Sequence, residues 1–507
     1  MSEHYKALVV VIGIMLIALF VARPVATRFM APEDFARRRL LWLSLVIAGF
    51  LIPNFWVYAL IAAIVLVYGE IKDPNPPALY MFLLLAMPPF GAYIPTLGLI
   101  NQLFTLDHLR LMSFAVLLPA FFRLRGEQAR EPQVHSRLEL PDVLIMLFGL
   151  LQVLLWLPNE SVTASMRRIV LFGLDTMLPY YVLSRACRTR ESLREAMFAF
   201  VLLAVVLSCI AMFETSRAWV LFAGLEERWD TVAVTGFLRR GDMLRATVTG
   251  GHSIVLGYSL MVAFGFWLAL SQGLSTRWRW LGIIALITGL VATAARGPWA
   301  GALVALFLYQ ALQRNAVSRL GMTVLILSIG AAAVIASPWG DTFIDRLPFV
   351  GSDPGGSVLY RQRLAALSWQ LIQRSPVFGA LDFMQYMEEL RQGEGIIDIV
   401  NVYAGYALAY GLVGAGLFVA FFAVIGLRSL GVVWQTRATD EEMSSIGVGL
   451  LAALGAALVT LATLSMYLSV SNLTWAMAGL TAAYARIARR EQVEAMRAHA
   501  SQPRFAT

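Results

Sequence analysis

Charged residues are scarce in this chain: only 14% of its 507 residues are Asp, Glu, Lys or Arg, whereas 59% are hydrophobic. Soluble globular proteins carry about 25% charged residues, so the shortage excludes an ordinary soluble enzyme or a series of soluble domains. The mean hydropathy of +0.70 agrees with this exclusion. The composition therefore predicts an all-α polytopic membrane protein.

Cysteine and metal-binding motifs are also nearly absent. The two cysteines, Cys187 and Cys209, fall on a predicted cytoplasmic turn and inside a predicted membrane helix, so we expect no disulfide between them. No CxxC or HExxH spacing occurs in the sequence, and these are spacings that typically hold a metal. We accordingly predict neither a metal nor any other cofactor.

Nearly all of the positive charge comes from arginine, and the formal net charge is +8. Nucleic-acid-binding proteins also carry such a charge, but here the arginines cluster in short loops between apolar runs, which is the pattern that orients membrane helices. We therefore expect no nucleic-acid partner and predict that these loops are cytoplasmic. The clusters lie at 123–137, 185–194, 277–279, 314–319 and 428–437, and the tail at 488–507 joins them.

Apolar runs long enough to cross a bilayer follow one another along most of the chain. We predict about 12 to 15 transmembrane helices, since a span needs roughly 20 apolar residues, or fewer inside a bundle. The first run is expected to be a retained span, because no small-residue cleavage site follows it. Pro53 and Asn54 fit either a turn between two spans or a kink within one. The candidate runs are 7–22, 40–52, 54–69, 78–100, 106–122, 141–157, 167–184, 194–212, 252–271, 278–294, 297–312, 318–336, 398–427, 444–466 and 469–487.

The predicted spans and the polar stretches divide the chain into five parts. By alternation of sides, 213–250, the turn around Arg296 and the loop 337–397 face outward. Arginines in long outer loops do not contradict the positive-inside rule, because long loops translocate largely regardless of charge. The five parts are an N-terminal transmembrane bundle (1–200), transmembrane helices with outer arginine sites (201–336), an extracytoplasmic loop containing short helices (337–397), C-terminal transmembrane helices (398–487) and a cytoplasmic tail (488–507).

Two outer arginines lie where the chain enters predicted helices. Arg245 begins RATVTGGHSIVLGY, in which an outer loop enters the membrane through two glycines and His252. Arg296 joins two apolar helices in ATAARGPWAGAL, where Pro298 suits the first turn of the second helix. An arginine beside the positive end of a helix concentrates charge into an anion site. The alternatives are arginines that reach lipid headgroups and, for His252, a helix cap.

The loop 337–397 contains a predicted amphipathic helix in SVLYRQRLAALSWQLIQR. This helix should end before Pro376, and a short helix follows around 386–391. Arg361 and Arg363 lie about 200° apart around the helix, so both cannot face one ligand. The apolar side is predicted to consist of Leu364, Leu367, Leu371 and Ile372.

Carboxylates at or inside predicted spans form the last group of candidates. In IIDIVNVY, Asp398 and Asn401 are spaced i and i+3, which places them on one face of a helix that enters the membrane. An N-terminal cap is the alternative for this pair. Asp175 lies within a predicted span, where a carboxylate is costly, so it has either a packing partner or a function.

Several of these motifs together resemble the O-antigen ligase and Wzy-type polysaccharide polymerase superfamily. The ordered set is RATVTGGHSIVLGY, ARG at a helix junction, LYRQRL and SPVFG in a long outer loop, and DIVNVYAGYALAYGLVGAGLF, and it covers residues 200–430. Members of that family transfer a glycan from a polyprenyl-pyrophosphate carrier to another glycan or to a lipid core. They act at the outer face of the bacterial inner membrane, mostly without metal. By motif match, the resemblance implies that Arg245, Arg296 and Arg361 hold the carrier's pyrophosphate.

One position departs from the ligase branch of that family. Ligases usually have a histidine directly before the position of Asn401, whereas this chain has Val400. The IDxVNxY pattern is more similar to exopolysaccharide polymerase-like members, so we expect a polymerase ahead of a ligase. Without that histidine, the base for the acceptor hydroxyl would be Asp398, with Glu394 as the second choice.

The chemistry of the candidate side chains is compatible with the roles that the resemblance implies. Arginine stabilises charge on departing pyrophosphate oxygens in a bidentate manner and without a metal. Convergence of the three arginines on one cavity is a hypothesis at this point. Asn401 would position a sugar hydroxyl, and Tyr360 and Tyr403 offer flat apolar surfaces to sugar rings. Further predicted substrate contacts are His252, Arg363 and Glu394.

The expected partners are a polyprenyl-pyrophosphate-linked glycan donor, a glycan acceptor and membrane lipids, with a chain-length regulator as a further candidate. Two other classes stay open: a flippase or transporter of lipid-linked glycans, and a non-enzymatic protein that only docks them. A flippase should have charges deep along a central path, whereas most charges here lie at the predicted outer face.

Overall fold

The computed structural model describes residues 3–95, 102–130, 138–232, 235–337, 357–391 and 395–500. Most of these residues are helical, and the two sheets found among them are short antiparallel pairs. Eight of the described helices are long and apolar enough to cross a membrane. The predicted all-α polytopic membrane fold is thus confirmed.

The first half of the chain forms helices α1 to α10 and one hairpin. Two π-helical turns, Ser113–Leu117 and Gly173–Met177, connect α5 to α6 and α8 to α9. The elements are α1 (Glu3–Ala26), α2 (Pro32–Leu51), α3 (Phe55–Lys72), α4 (Pro76–Leu83), β1 (Gly91–Pro95), β2 (Gln102–Asp107), α5 (His108–Met112), α6 (Leu118–Arg130), α7 (Leu140–Asn159), α8 (Val162–Phe172), α9 (Leu178–Ala186) and α10 (Arg190–Arg217).

The second half carries the motifs that are predicted to face outward. Two 3₁₀ turns, Val248–Gly250 and Phe383–Leu390, lie in the stretches that are predicted to face outward. The elements are α11 (Ala223–Trp229), β3 (Arg239–Arg240), β4 (Met243–Leu244), α12 (Ser253–Leu270), α13 (Thr276–Ala292), α14 (Arg296–Ala311), α15 (Ala316–Ile335), α16 (Ser357–Arg374), α17 (Val402–Thr436), α18 (Glu441–Leu461) and α19 (Leu468–Ala500).

Helix α12 lies at the centre of the bundle. All of its residues except Ile254 are buried, as expected for a helix that is apolar on every side. It packs against α10, α13, α14 and α18. The segment that precedes α12, with Arg245 and His252, is therefore attached to the most enclosed helix of the protein.

Helix α10 connects two polar ends of the bundle. At its start, Arg190 forms ion pairs with Asp440 and Glu491, both at 2.6 Å. Near its other end, about 40 Å away by the 1.5 Å rise per residue, Thr215 Oγ1 donates to the carbonyl of Ala292 at 3.1 Å. The arginine-rich loops predicted to be cytoplasmic and the outer arginine motifs thus lie at opposite ends of this helix.

The predicted span 78–100 is wrong, because α4 has only eight residues and the buried chain after it is largely non-helical. The carbonyl of Ala86 accepts a hydrogen bond from Trp42 Nε1 at 2.8 Å, and that of Leu85 accepts one from Thr249 Oγ1. Irregular backbone is tolerated at membrane depth only where protein surrounds it. Hydropathy alone does not distinguish such a segment from a helix.

The ambiguity at Pro53 and Asn54 is resolved as a turn between two helices. Helix α2 ends at Leu51 and α3 begins at Phe55. The side chain of Asn54 accepts a hydrogen bond from the backbone of Val57 at 3.1 Å. Asn54 therefore acts as the N-cap of α3.

Asp175 has an internal partner. It lies in the second π-helical turn, and its Oδ2 pairs with Nη2 of Arg110 at 2.8 Å. Arg110 Nη1 also donates to the carbonyl of Thr105 at 2.6 Å and lies 3.3 Å from Asp107 Oδ2. The arrangement ties the β1–β2 hairpin to the α8–α9 helix and favours the packing alternative for Asp175.

Helix α17 is sharply folded at Gly411, whose φ of 66° and ψ of −173° suit glycine. The ring centroids of Tyr403 and Phe418 are 5.9 Å apart, although a straight helix would separate these positions by about 22 Å. The first part of α17, residues 402–410, is therefore a half-helix that folds back against the rest of the helix.

The outer chain after α16 fills the break in α17. The backbone N–H of Ala380 donates to the carbonyl of Leu408, and that of Leu412 donates to the carbonyl of Pro376, both at 2.8 Å. These bonds use groups that a continuous helix would pair internally. The outer segment is thus fixed to the membrane bundle by backbone hydrogen bonds.

Helix α16 lies over the half-helix. Its end at Arg374, before Pro376, confirms the predicted boundary. The predicted apolar side is confirmed as well: Leu364 and Leu371 are buried, and Leu367 and Ile372 pack beside them. They form a cluster with Phe383, Met387, Leu390 and Leu408.

Candidate active site

The strand-to-helix segment that carries Arg245 is held by Glu214, a buried carboxylate near the end of α10. Glu214 Oε2 accepts hydrogen bonds from the backbone of Thr247 at 3.1 Å and of Val248 at 3.0 Å. Val248 has a φ of 46°, which costs a β-branched residue about 1–3 kcal/mol. Glu214 therefore supports a strained turn beside Arg245.

Arg245 is partly buried and is anchored through one nitrogen. Its Nε donates to the carbonyl of Thr293 at 3.3 Å, which is the one hydrogen bond of this side chain within the described residues. Burial, followed by the nearby charge of Arg240, lowers the pKa of Arg245 to about 10. The group is still a cation at neutral pH, and its two terminal nitrogens are available to an anion.

Arg296 is the first residue of α14, where the backbone N–H groups and the helix dipole also favour an anion. The chain reaches this position through Ala294, whose φ of 45° is left-handed. Arg240 Nη1 donates to the carbonyl of Ala294 at 2.6 Å. Pro298 lies in the first turn of α14, as predicted. Arg245 and Arg296 are thus held on either side of one turn, 293–295.

The connection between α18 and α19, residues 462–467, lies against both arginine segments, and we refer to it as the α18–α19 loop. A Cβ added to Gly297 would lie 2.6 Å from Thr463 Oγ1. From the outer helix α16, Arg361 Nη2 donates to the carbonyl of Thr463 at 3.2 Å. Thr463 therefore contacts the chain next to Arg296 and the Arg361 side chain.

The same loop also contacts Asp398. Ser465 Oγ donates to Asp398 Oδ1 and lies 3.1 Å from the carbonyl of Ile399. The backbone of Asp398 is clamped by Tyr360, whose hydroxyl donates to the Asp398 carbonyl at 2.9 Å and accepts from its N–H at 3.1 Å. Asp398 is thus fixed by two elements, and one of its carboxylate oxygens is engaged by Ser465.

Tyr467 completes the contacts of the loop. Its ring stacks on His252, with centroids 5.2 Å apart and planes at 19°. Burial, followed by the negative charge of Asp398, raises the pKa of Tyr467 to about 12, and Arg245 acts in the opposite direction. The hydroxyl therefore lies within electrostatic range of both a cation and a carboxylate of the candidate site.

His252 is the N-cap of α12, because its Nδ1 accepts a hydrogen bond from the backbone of Ile254 at 3.1 Å. This contact supports the cap alternative. Burial, followed by the charge of Arg245, lowers the pKa of His252 to about 4. The neutral ring is the form that can accept the Ile254 hydrogen bond.

Acidification should therefore destabilise the protein through His252. Because the folded-state pKa is below the ordinary value of about 6.5, the unfolded chain binds more protons between pH 6.5 and about 4, and stability is lost as the pH falls through that window. We expect the apparent Tm of the wild type to drop more between pH 7 and pH 5 than that of His252→Asn, which keeps a capping side chain. Equal pH slopes for the two proteins would exclude this role.

Asn401 is likewise a cap. Its Oδ1 accepts a hydrogen bond from the backbone of Ala404 at 3.1 Å, and α17 begins one residue later, at Val402. The prediction that Asp398 and Asn401 share one helical face is wrong, because Asp398 lies in non-helical chain before the helix, where the N–H of Val400 donates to its carbonyl at 3.0 Å. The two side chains nevertheless come from the same short segment, 398–401.

Three predicted substrate contacts are less directly supported. Arg363 is exposed on α16 on a side different from Arg361. Tyr403 donates to the carbonyl of Leu458 at 2.7 Å and packs on Phe418, so its ring is used inside the bundle. Glu394 lies outside the described residues.

The α18–α19 loop, which links the predicted residues, contains none of the motifs that predict the site. Its polar side chains Thr463, Ser465 and Tyr467 occupy alternate positions of the apolar run LATLSMYLSVSN. This alternation is the signal of a non-helical turn, whereas the hydropathy of the run predicts a helix that extends to 466. Arg240, which lies in the predicted outer stretch 213–250, is a further residue at this site through its contact with Ala294.

No protein-family model matches the chain, and no curated protein matches it significantly.

Proposed function

We propose that this protein is a glycosyltransferase that joins polyprenyl-pyrophosphate-linked oligosaccharide units into a surface polysaccharide or exopolysaccharide at the outer face of the bacterial inner membrane. The observation that carries the proposal is the set of contacts made by the α18–α19 loop. Through this loop, Arg361, Asp398 and the chain next to Arg296 meet, and Tyr467 links them electrostatically to Arg245.

In the proposed reaction, the carboxylate beside this loop takes up a proton, and the arginines beside it stabilise the negative charge of the leaving group. An acceptor hydroxyl attacks the anomeric carbon of the donor, the bond between that carbon and the pyrophosphate oxygen breaks, and the hydroxyl proton passes to Asp398. Arg245, Arg296 and Arg361 stabilise the negative charge that grows on the departing pyrophosphate. Arginine suits this role because it stays charged and binds two oxygens at once.

Polymerase activity is favoured over ligase activity by Val400, which stands where the ligase branch usually has histidine. Asp398 takes the place of the missing base in this proposal, and the Ser465 hydrogen bond holds one of its oxygens. A ligase that transfers glycan to a lipid core is the second candidate, since its donor chemistry is the same. Sugar identity and linkage are not specified by these residues.

Replacement of Asp398 by Asn tests the base. The amide keeps an acceptor for Ser465 Oγ and leaves the backbone clamp from Tyr360 intact, so folding should be unchanged. The amide does not take a proton from the acceptor, so we expect the rate to fall roughly 10²- to 10⁴-fold. The measurement is turnover of purified lipid-linked units at equal amounts of folded protein, and unchanged turnover would remove Asp398 as the base.

The same variant distinguishes the flippase alternative in cells. If the protein polymerises, cells with Asp398→Asn should accumulate single lipid-linked units that enzymes added to the periplasm can reach. Accumulation on the cytoplasmic side alone would favour a flippase and contradict the proposal. A docking protein without catalysis would show normal polymer yield in this variant.

A further inference from the structure

A second outer cleft lies at the far end of the half-helix, away from the arginines. It has a volume of about 530 Å³ and is formed where the end of α7 meets the chain after α16. Its polar walls are Asn159 and Glu160 on one side and Asp382 and Gln385 on the other. None of the predictions made from the sequence assigns this cleft a ligand.

The fold makes the cleft a fixed feature. One wall is the segment 378–382, and Ala380 of this segment is bonded to Leu408 in the break of α17. The opposite wall is stiffened by Arg168 of α8, whose Nη2 pairs with Glu160 at 2.7 Å. Both walls are thus attached to membrane helices, and the cleft does not depend on a free loop.

The chemistry of the lining suits sugar hydroxyls. Carboxylates accept hydrogen bonds from neighbouring hydroxyls, and amides such as Asn159 and Gln385 both donate and accept. Phe378 lines the same cleft and is 52% exposed, so its ring offers an apolar face to a sugar. A few polar groups beside an aromatic surface are typical of a small-ligand site.

The charge of this cleft is opposite to that of the arginine site. Its two carboxylates are Glu160, which is paired with Arg168, and Asp382, which forms no ion pair among the described residues. A pyrophosphate would be repelled here and attracted to Arg245 and Arg361. The two sites therefore suit different groups: the pyrophosphate of the donor belongs at the α18–α19 loop, and the hydroxyls of the acceptor glycan belong in the cleft.

The spacing between the two sites fits one extended glycan. Ala409 lines the cleft, and Asn401 precedes the first turn of the same half-helix. Eight residues of helix correspond to about 12 Å. A short oligosaccharide lying along α17 and α16 would span this distance and present its end hydroxyl to Asp398.

We propose that this cleft binds the acceptor glycan through its hydroxyls, and that it selects neutral or amino-sugar segments over segments rich in uronic acids. The inference rests on the proposed function, since it names the acceptor subsite of that reaction. The decisive residues are Asp382 and Gln385. Both are exposed, line the cleft and lie one helical turn apart, so both can exchange hydrogen bonds to water for hydrogen bonds to a sugar.

The test measures binding without turnover, so that it is separate from a test of catalysis. The probe is the free oligosaccharide released by mild acid from the cell's own lipid-linked units, and its binding to the purified protein is followed by saturation-transfer NMR. We expect Asp382→Ala and Gln385→Ala to weaken binding roughly tenfold each, because each loses hydrogen bonds to the sugar. The matched control is Glu389→Ala, an exposed carboxylate of the same 3₁₀ turn that does not line the cleft.

Two results would overturn the proposal. One is binding of equal strength in the wild type, in both cleft variants and in the control; the other is no binding of the oligosaccharide to the wild type at millimolar concentration. A uronic-acid oligosaccharide that binds as tightly as a neutral one would overturn the stated selectivity. If the cleft variants lose binding while the wild type fails to elongate lipid-linked units, the cleft is supported and the catalytic proposal fails.

Discussion

Replacement of Arg245 by alanine should lower the rate of glycan transfer roughly 10²- to 10³-fold, which is the usual effect of removing one group that stabilises a developing negative charge. The side chain is anchored through Nε on Thr293, and its terminal nitrogens are directed to an anion in this account. Arg245→Lys should also be defective, because an ammonium does not reproduce the bidentate contact. The measurement is kcat with a purified lipid-linked donor.

The matched control for Arg245 is Arg239→Ala. Arg239 belongs to the same β3–β4 hairpin, but it is exposed and lies over the ring of Phe237 at 5.6 Å. Its removal should leave kcat within about twofold of wild type, as is usual for surface substitutions. An equal loss of kcat in the two variants would show that activity depends on the total positive charge of this surface, and it would exclude a specific role for Arg245 in binding pyrophosphate.

Replacement of Gly411 by alanine is the second change for which we expect a large effect. The residue has a φ of 66°, and an added Cβ would overlap the carbonyl of Val377. The alanine variant must therefore displace the segment 376–380 from the break in α17, which removes the hydrogen bond between Ala380 and Leu408. We expect a loss of several kcal/mol in docking of this segment and almost complete loss of activity, because α16 carries Arg361.

Limited proteolysis of the outer segment measures this effect directly. Gly416→Ala is the control, since Gly416 lies in the same helix and an added Cβ there meets nothing within 4 Å. Cleavage after α16 should be much faster in Gly411→Ala and unchanged in Gly416→Ala. If Gly411→Ala resists protease and keeps full activity, the segment 376–380 is not anchored by its hydrogen bonds to the break in α17.

The membrane bundle could be predicted from the sequence because long apolar runs leave few alternatives. The helix of the outer loop was also predicted, since Pro376 marks its end and Leu364 and Leu371 mark its buried side. The prediction of a helix at 78–100 is wrong because the buried irregular segment there forms its backbone hydrogen bonds with residues far away in the chain, such as Trp42. Hydropathy contains no information on those partners.

The candidate site was predicted in its residues more than in its geometry. The resemblance implies a shared role for Arg245, Arg296 and Arg361, but their relation in space depends on Thr463, Ser465 and Tyr467, which come from a turn between two late helices. The spacing of Asp398 and Asn401 predicts a shared helical face, but Asn401 caps the helix and Asp398 lies before it in non-helical chain. Contacts between residues over 60 positions apart in the chain are set by packing, which a single sequence does not report.

The most direct test of the account is incubation of the purified wild-type protein with lipid-linked oligosaccharide alone, followed by separation of the products by size. The account predicts a ladder of polymers, with one polyprenyl pyrophosphate released for each new glycosidic bond, and no ladder with Asp398→Asn. Absence of any ladder from folded wild-type protein, or release of the carrier without a new glycosidic bond, would contradict it.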